Sequence, residues 1–343
     1  MLTSMKSMVA LEPLAMFDAF GQRALMDAWG LMLQGRDDEV LVPYGSDMPD
    51  IDFDPLAKLG RQPTEPYKLL PRMMSSIGMG IWALDHISEF LGKQETRVVR
   101  VPKEFLDRLV KTTRAELRES SLTNDAEPFL SESDVLCAWW TKVATSHLPR
   151  TSRSYERTLV LNNAYSLRKP LGGESGLLPT SSSCLRTADK PYLSNAVGFI
   201  NVVGSVADVL NNPVSRLAAQ IRSAIRELGT RSQVETAAAM TRSNRLKLPP
   251  FFGDTTMHMV TYSNWTKAGF FEVDFSGAVS NSEASRKELR GMPVYIQNNQ
   301  SGFVLPNGFV IPGKDSGGNH WLSGYMNNGL WAKMEIYMRT GSW

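Results

Sequence analysis

The sequence predicts an α/β fold with mixed sheets and flanking helices. Three observations carry that expectation. Val214, Leu217, Ile221, Ile225 and Leu228 recur at helical spacing behind Asn212-Pro213, the clearest amphipathic helix in the chain. Phe105, Leu106, Leu109, Val110, Thr113 and Leu117 form a second such face after Pro102, which suits a first helical position because its missing N–H has no partner to lose there. Between and around these helices stand short strand-like runs at 96–101, 158–164 and 257–262.

The remaining elements follow in chain order. Residues 1–23 are Met-rich and mixed, with no period of two, and no element is assigned to them. Residues 26–34 read as a short helix packing through Trp29 and Leu33. Residues 43–66 are loop-rich. The alternating Asp50, Asp52 and Asp54 are a solvated acidic loop rather than a cation site, since no His or Cys joins them and the spacing is not that of an EF-hand. The apolar segment 71–92 is expected to pack in the core and form a wall of an acceptor pocket. Ser131 and Asp134 form a capping pair for a helix through Val135, Leu136, Ala138, Trp139, Val143 and Ala144, with both Trp139 and Trp140 as core.

Residues 152–157 are a charged break. Residues 170–191, rich in Gly, Ser, Thr and Pro, read as a long crossover loop. That loop is the best domain boundary, dividing the chain into 1–172 and 173–343. A strand starts in 192–199. In the last third, strands are expected at 269–275, 292–296, 302–305 and 309–311. A helix is expected after Asp315 over 322–330, with 331–338 left open.

Composition narrows the function. The 343 residues suffice for two domains, and 42% hydrophobic against 21% charged residues permits a packed core throughout. The formal net charge of +2 argues against bulk nucleic-acid binding. Arg222, Arg226, Arg231, Arg242, Arg245 and Lys247 are either phosphate contacts for a nucleotide-containing cofactor or a solvated face, and no aromatic interleaving points to nucleic acid. Two cysteines exclude a disulfide framework and suit reduced thiols in the cytoplasm. The longest apolar run, 77–91, is broken by Asp85, His86 and Glu89, so no membrane span is expected. Residues 1–11 lack the apolar core of a signal peptide, so the sequons at Asn264 and Asn299 carry no weight.

Gly308-Phe309-Val310-Ile311-Pro312-Gly313-Lys314 matches a P-loop up to its last position. It is rejected because Asp315 replaces the Ser or Thr, Pro312 removes a backbone donor, and Gly317-Gly318 follows where a helix should begin. The four histidines do not cluster, and no Cys-x-x-Cys or His-Glu-x-x-His occurs, so no metal is expected.

Several segments fall in one order: Leu25-Met26-Asp27-Ala28-Trp29-Gly30, Ser133-Asp134-Val135-Leu136-Cys137-Ala138-Trp139, Asn163 to Arg168, Tyr192 to Ala196, Ser263 with Trp265, Asp274-Phe275-Ser276-Gly277, and Asp315 to Trp321. Together they resemble the BAHD acyltransferases of plants and fungi, in the looser form of the fungal secondary-metabolism branch. The first resembles the second half of the His-x-x-x-Asp-x-x-Gly signature. The last but one resembles Asp-Phe-Gly-Trp-Gly, with Ser276 in the first Gly position.

The resemblance implies a two-domain coenzyme A-dependent acyltransferase-like fold, its first domain incomplete. It implies transfer of an acyl group, most directly acetyl, from an acyl-CoA co-substrate to a hydroxyl of a fungal metabolite. No bound cofactor and no obligate protein partner are expected, and a monomer is. By the same resemblance Asp27 belongs to the catalytic signature, Ser263 and Trp265 face the acceptor, and Arg168 contacts the coenzyme A. Gly30, Asn195, Asp274, Phe275 and Gly277 then support the structure, with Asp274 in a salt bridge.

One position departs from the pattern. The signature's His should lie four residues before Asp27, where this chain has Arg23. A neutral imidazole takes the alcohol's proton during attack on the thioester and passes it to the leaving thiolate. A guanidinium has only donors and stays protonated. The alternative expectation is therefore a catalytically inactive relative that acts, if at all, as a binding protein.

Overall fold

The computed structural model describes residues 17–48, 53–87, 94–120, 129–148, 151–173, 176–179, 190–245, 247–279, 291–297 and 307–340. Among them, six strands form one sheet: β1 (Gln94–Val101), β2 (Thr158–Ser166), β3 (Val197–Ser205), β4 (His258–Asn264), β5 (Phe309–Lys314) and β6 (His320–Asn327). Their order is β1-β6-β5-β4-β2-β3. β2, β4 and β5 run parallel, and the outer pairs are antiparallel. The expected division at 172/173 falls between β2 and β3, which are hydrogen-bonded neighbours from Thr158↔Ser205 to Ser166↔Val197.

Among the described residues, the helices longer than one turn are α1 (Ala19–Leu33), α2 (Ser76–Asp85), α3 (Lys103–Ser120), α4 (Glu132–Thr145), α5 (Val206–Asn211), α6 (Val214–Leu228), α7 (Arg231–Ser243) and α8 (Leu330–Thr340). The apolar stripes that predicted α3 and α6 do what periodicity demands. Phe105, Leu106 and Val110 join Leu217 and Ile221 in the main core, over Leu161, Val260 and Leu322 of the sheet. α4 lies at the centre. Its capping box is complete, with the Ser131 hydroxyl accepting from the Asp134 N–H and the Asp134 carboxylate accepting from the Ser131 N–H. Trp139 and Trp140 are fully buried. The Trp140 ring stacks on Phe309 at 4.4 Å between centroids and meets Trp331 edge-on at 5.3 Å. Arg222 of α6 pairs with Asp134, joining two helices at the cap.

Several expectations are corrected. Residues 269–275 are not a strand. Short 3-10 turns cover Thr266–Ala268, Phe270–Glu272 and Ser276–Ala278, the first two separated by Gly269 in the left-handed region at φ 65°. Phe270 and Phe271 are both buried, so no alternation survives. Residues 292–296 form no strand and leave Val294 and Tyr295 exposed. The helix expected over 322–330 is instead β6 followed by α8. β6 is hydrogen-bonded along both edges, and large side chains stand on both of its faces, Leu322 and Met326 on one and Trp321 and Tyr325 on the other, so its sequence shows no clear apolar/polar alternation. Pro312 sits inside β5, where the register with β6 shifts between Val310 and Gly313, as a residue without an N–H requires. The expected strand 302–305, and Asp50 and Asp52, lie outside the described residues.

α1 begins seven residues earlier than expected, and its Trp29 and Leu33 are partly exposed. The segment expected to fill the core is also largely outside it. α2 turns Trp82 inward, its indole N–H donating to the Met257 carbonyl at 3.0 Å. Ile77 is 77% exposed and Leu84 70% exposed.

His258 opens β4 at the end of the sheet away from Ser263. It is buried beside His147, whose ring centroid lies 5.7 Å away. Burial, helped by the nearby positive ends of His147, Arg157 and His86, pushes its imidazole down to about 3. The unfolded chain therefore binds a proton near pH 6.5 that the folded chain refuses. This contribution to stability is fully present above about pH 6.5 and falls with pH by about 1.4 kcal/mol per unit per proton. We expect a lower urea midpoint at pH 5.5 than at pH 7.5, and a smaller difference in His258→Gln. Equal midpoints in the wild type would show that this imidazole does not limit acid stability.

Candidate active site

The carboxyl ends of the parallel strands β2, β4 and β5 meet one rim of the sheet, the usual place for a site in α/β folds. α1 lies at this rim, held by side chains at both ends.

At its start, Asp18 caps α1, accepting from the Phe20 and Gly21 N–H groups at 3.1 and 3.0 Å. Its other oxygen accepts from the Ala196 N–H at 2.9 Å and pairs with the Arg168 guanidinium. Both charged groups are buried. Arg168 also donates to the carbonyls of Tyr192 (3.0 Å) and Ser194 (3.3 Å), and lies over the Phe20 ring at 5.1 Å. All these partners of Arg168, expected to contact coenzyme A, belong to the chain itself.

One turn on, Arg23 is 4% exposed. Its Nε donates to Asp27 at 2.8 Å, and its Nη1 donates to the carbonyls of Ala268 (2.8 Å) and Gly269. Those carbonyls belong to the turn after Ser263-Asn264-Trp265. In that turn the Trp265 indole donates to the Ser263 hydroxyl at 2.9 Å and its backbone N–H to Ile311 at 2.9 Å. Asn264 reaches the Ser133 hydroxyl at the start of α4 at 2.6 Å. Arg23 thus joins the Asp27 helix to the Ser263-Trp265 turn, although no hydrogen bond links Asp27 to either residue among the described residues.

The far end of α1 rests on the Asp274-Phe275-Ser276-Gly277 segment. A Cβ on Gly30 would lie 2.5 Å from the Asp274 carbonyl oxygen, and one on Gly277 would lie 2.3 Å from that of Leu33. Backbone touches backbone at both points, so both positions require glycine. Trp29 meets Phe275 edge-on at 5.9 Å. The Asp274 carboxylate accepts from the Ser276 N–H at 2.8 Å. Partial burial pushes that carboxyl up, but hydrogen bonds from Ser276 and Gln34 and the Arg36 charge outweigh it and hold it below the usual carboxylate range.

The rim therefore gathers Asp27, Gly30, Ser263, Trp265, Asp274, Phe275 and Gly277 around α1. Asn195 stands apart, lining a cavity on the other side of the Tyr192–Ala196 segment. The histidines also lie elsewhere. His86 hydrogen-bonds Arg157 and the Trp82 carbonyl, and His147 packs against His258. His320 opens β6 with its Nε2 3.6 Å from Glu132, and burial holds its imidazole below the usual range despite that carboxylate. Sequence reasoning missed Asp18. Its signal was an Asp just before an apolar helical run, inside a segment left unassigned.

Three residues of the basic region make contacts within the chain. Arg222 pairs with Asp134, Arg231 with Glu235, and Arg242 donates to the carbonyls of Leu59 and Ala57.

Two expected outcomes test this geometry. Asp18→Asn removes one charge of a buried pair and should cost about 3–5 kcal/mol in chemical denaturation. A loss below about 1 kcal/mol, the scale of an exposed pair, would remove its role as anchor. Gly30→Ala should cost about 1–3 kcal/mol by overpacking. Gly80→Ala, in α2 with nothing near its absent Cβ, should be neutral or stabilising by up to about 1 kcal/mol. Equal effects at the two glycines would contradict the close approach.

Comparison with known proteins agrees with this architecture. No family model matches the chain. It is 33% identical to the Penicillium decumbens protein named transcriptional regulator calD, over 95% of this chain and 64% of that protein. It is 32% identical to acetyltransferase sphE of Aspergillus fumigatus, over 93% of this chain and 61% of that protein. The chain thus spans less than two thirds of the length of these relatives. In structure it superposes on F. graminearum TRI101, crystallised with coenzyme A and T-2 mycotoxin, with a TM-score of 0.63 at 13% identity, over 94% of this chain and 62% of that one. In fold, then, the chain is a coenzyme A-dependent acyltransferase-like protein of the BAHD type, and in sequence it is similar to fungal acetyltransferases over nearly its whole length.

Proposed function

We propose that this chain serves acyl-CoA-dependent O-acyl transfer, most directly of acetyl, to a hydroxyl of a fungal secondary metabolite. The observation that carries the reading is the junction at the sheet rim. There Asp27 and Gly30, the Ser263-Trp265 turn and the Asp274–Gly277 segment converge on α1. Likeness to a fungal acetyltransferase supports the acyl group, and likeness to a coenzyme A complex supports the co-substrate.

In this reading the alcohol oxygen attacks the thioester carbonyl directly, the C–S bond breaks, and the alcohol's proton passes to the departing thiolate. The Ser263 hydroxyl, which accepts from Trp265 and keeps its own proton, is suited to hydrogen-bond the acceptor. Arg168 contributes by holding the segment from Tyr192 to Ala196 in place. A cytoplasmic location accords with the cysteine usage, and no described helix is long and apolar enough to cross a membrane.

A second reading rests on one specific observation. Arg23 occupies the position of the base, cannot accept a proton, and is already bonded to Asp27, Ala268 and Gly269. The chain would then bind substrates without turning them over. A regulatory role through nucleic acid finds less support, because Arg222 and Arg231 are paired with acidic side chains of the chain itself.

The experiment is release of coenzyme A thiol from acetyl-CoA across a panel of hydroxylated polyketides and terpenoids, in wild type, Asp27→Ala and Arg23→His. Steady-state release lost in Asp27→Ala supports the enzyme. Silence in the wild type with release in Arg23→His, at least tenfold above background, supports an intact site lacking its base. Silence in both, with no binding of acetyl-CoA, would sink the acyl-transfer reading.

A further inference from the structure

β3 is an edge strand. On its free side lies a cavity of about 580 Å³, closed by α7, by the turn at Pro55–Lys58 and by residues 249–252. That volume falls in the range of small-molecule sites. Its interior is apolar and aromatic, with Tyr67, Phe252, Leu228 and Phe199 among its walls. Tyr67 and Phe252 are buried, with ring centroids 5.1 Å apart.

The polar groups are arranged unevenly. Arg61 and Arg242 stand exposed at the mouth, with Asp54 the one acidic residue among the lining residues. The Asp54 carboxylate accepts from the Leu56 N–H. Inside, the Tyr67 hydroxyl has no hydrogen-bond partner among the described residues, although the residue is only 3% exposed. Burial pushes that phenol up to about 12, so it remains a donor at neutral pH. A donor within and net positive charge at the entrance call for a ligand with oxygen acceptors and a negative end.

We propose that this cavity binds an apolar small molecule bearing a carboxylate. The apolar body packs on Tyr67, Phe252 and Leu228, an oxygen on it accepts from the Tyr67 hydroxyl, and the carboxylate lies between Arg61 and Arg242. The site is distinct from the α1 rim and does not depend on the acyl-transfer reading. The two are neighbours through one segment. Asn195 lines the cavity, while Ser194 and Ala196 on either side of it are bonded to Arg168 and Asp18.

Calorimetric titration of the full chain tests this, with decanoate, decanol and 9-oxodecanoate as probes. Decanoate should bind at one site, at least tenfold more tightly than decanol. Thr241→Trp, which fills the cavity from α7, should abolish that binding. Arg61→Gln and Arg242→Gln should each weaken decanoate about tenfold and leave decanol unchanged. Arg242 donates to the Leu59 and Ala57 carbonyls and Arg61 gives Ala57 a single longer hydrogen bond at 3.2 Å, so Arg61→Gln disturbs the Pro55–Lys58 turn less and keeps the test valid if Arg242→Gln unfolds. The oxo group should strengthen binding severalfold in wild type and not in Tyr67→Phe. Decanol binding as tightly as decanoate would overturn the carboxylate. Decanoate binding unchanged by Thr241→Trp would overturn the site, and would place the amphiphile on exposed apolar faces such as those of α1 and α2.

Discussion

A single buried carboxylate organises the approach of the first described helix to the sheet. Asp18 caps α1, neutralises Arg168 and accepts the Ala196 N–H. Withdrawing two charges from water is costly, and a lone contact between them would not compensate. Here the carboxylate is also met by three backbone N–H groups, and the guanidinium donates to two carbonyls and lies over an aromatic face. Everything downstream on α1 inherits its direction from that anchor. Arg23 reaches the turn after Trp265, and Gly30 lies against Asp274, only because the helix axis is set there.

The consequence for chemistry is a conflict at one residue. The position that the family resemblance reserves for a proton acceptor carries the side chain that ties α1 to the Ala268–Gly269 carbonyls. A His at position 23 has one donor when neutral and a shorter reach, so it would exchange a structural tie for a base. Geometry and catalysis therefore compete for the same place in this chain, and rim integrity alone is not evidence of turnover.

The apolar surface is unevenly covered. α2 presents Ile77, Ile81 and Leu84 outward, and α1 presents Leu25, Trp29, Met32 and Leu33 at least partly so. These residues recur at the i, i+4, i+7 spacing of a helix face, the same pattern that sends α6 into the core. Periodicity reports that a face is apolar. It carries no information about whether another element lies over it.

Much of the scaffold was legible from local chemistry. The stripes of α3 and α6, the Ser131–Asp134 cap, the buried Trp139-Trp140 pair, and the strands near 96–101, 158–164 and 257–262 each depend on residues close in sequence. So did the order of family segments, and with it the fold. What needed the tertiary structure depends on distant partners. β6 read as helix because large side chains on both of its faces, Leu322 and Met326 against Trp321 and Tyr325, hide the alternation, and only its pairing with β1 and β5 shows it to be a strand. The segment 269–275 became turns because Gly269 takes a left-handed conformation beneath Arg23. The glycines at 30 and 277 were recognisable as a pattern, but only the approach of α1 to the Asp274 segment explains why a Cβ is excluded at both. Arg23, Asp18 and Arg168 find partners between about 150 and 250 residues away, and no local pattern in a single chain encodes such pairings.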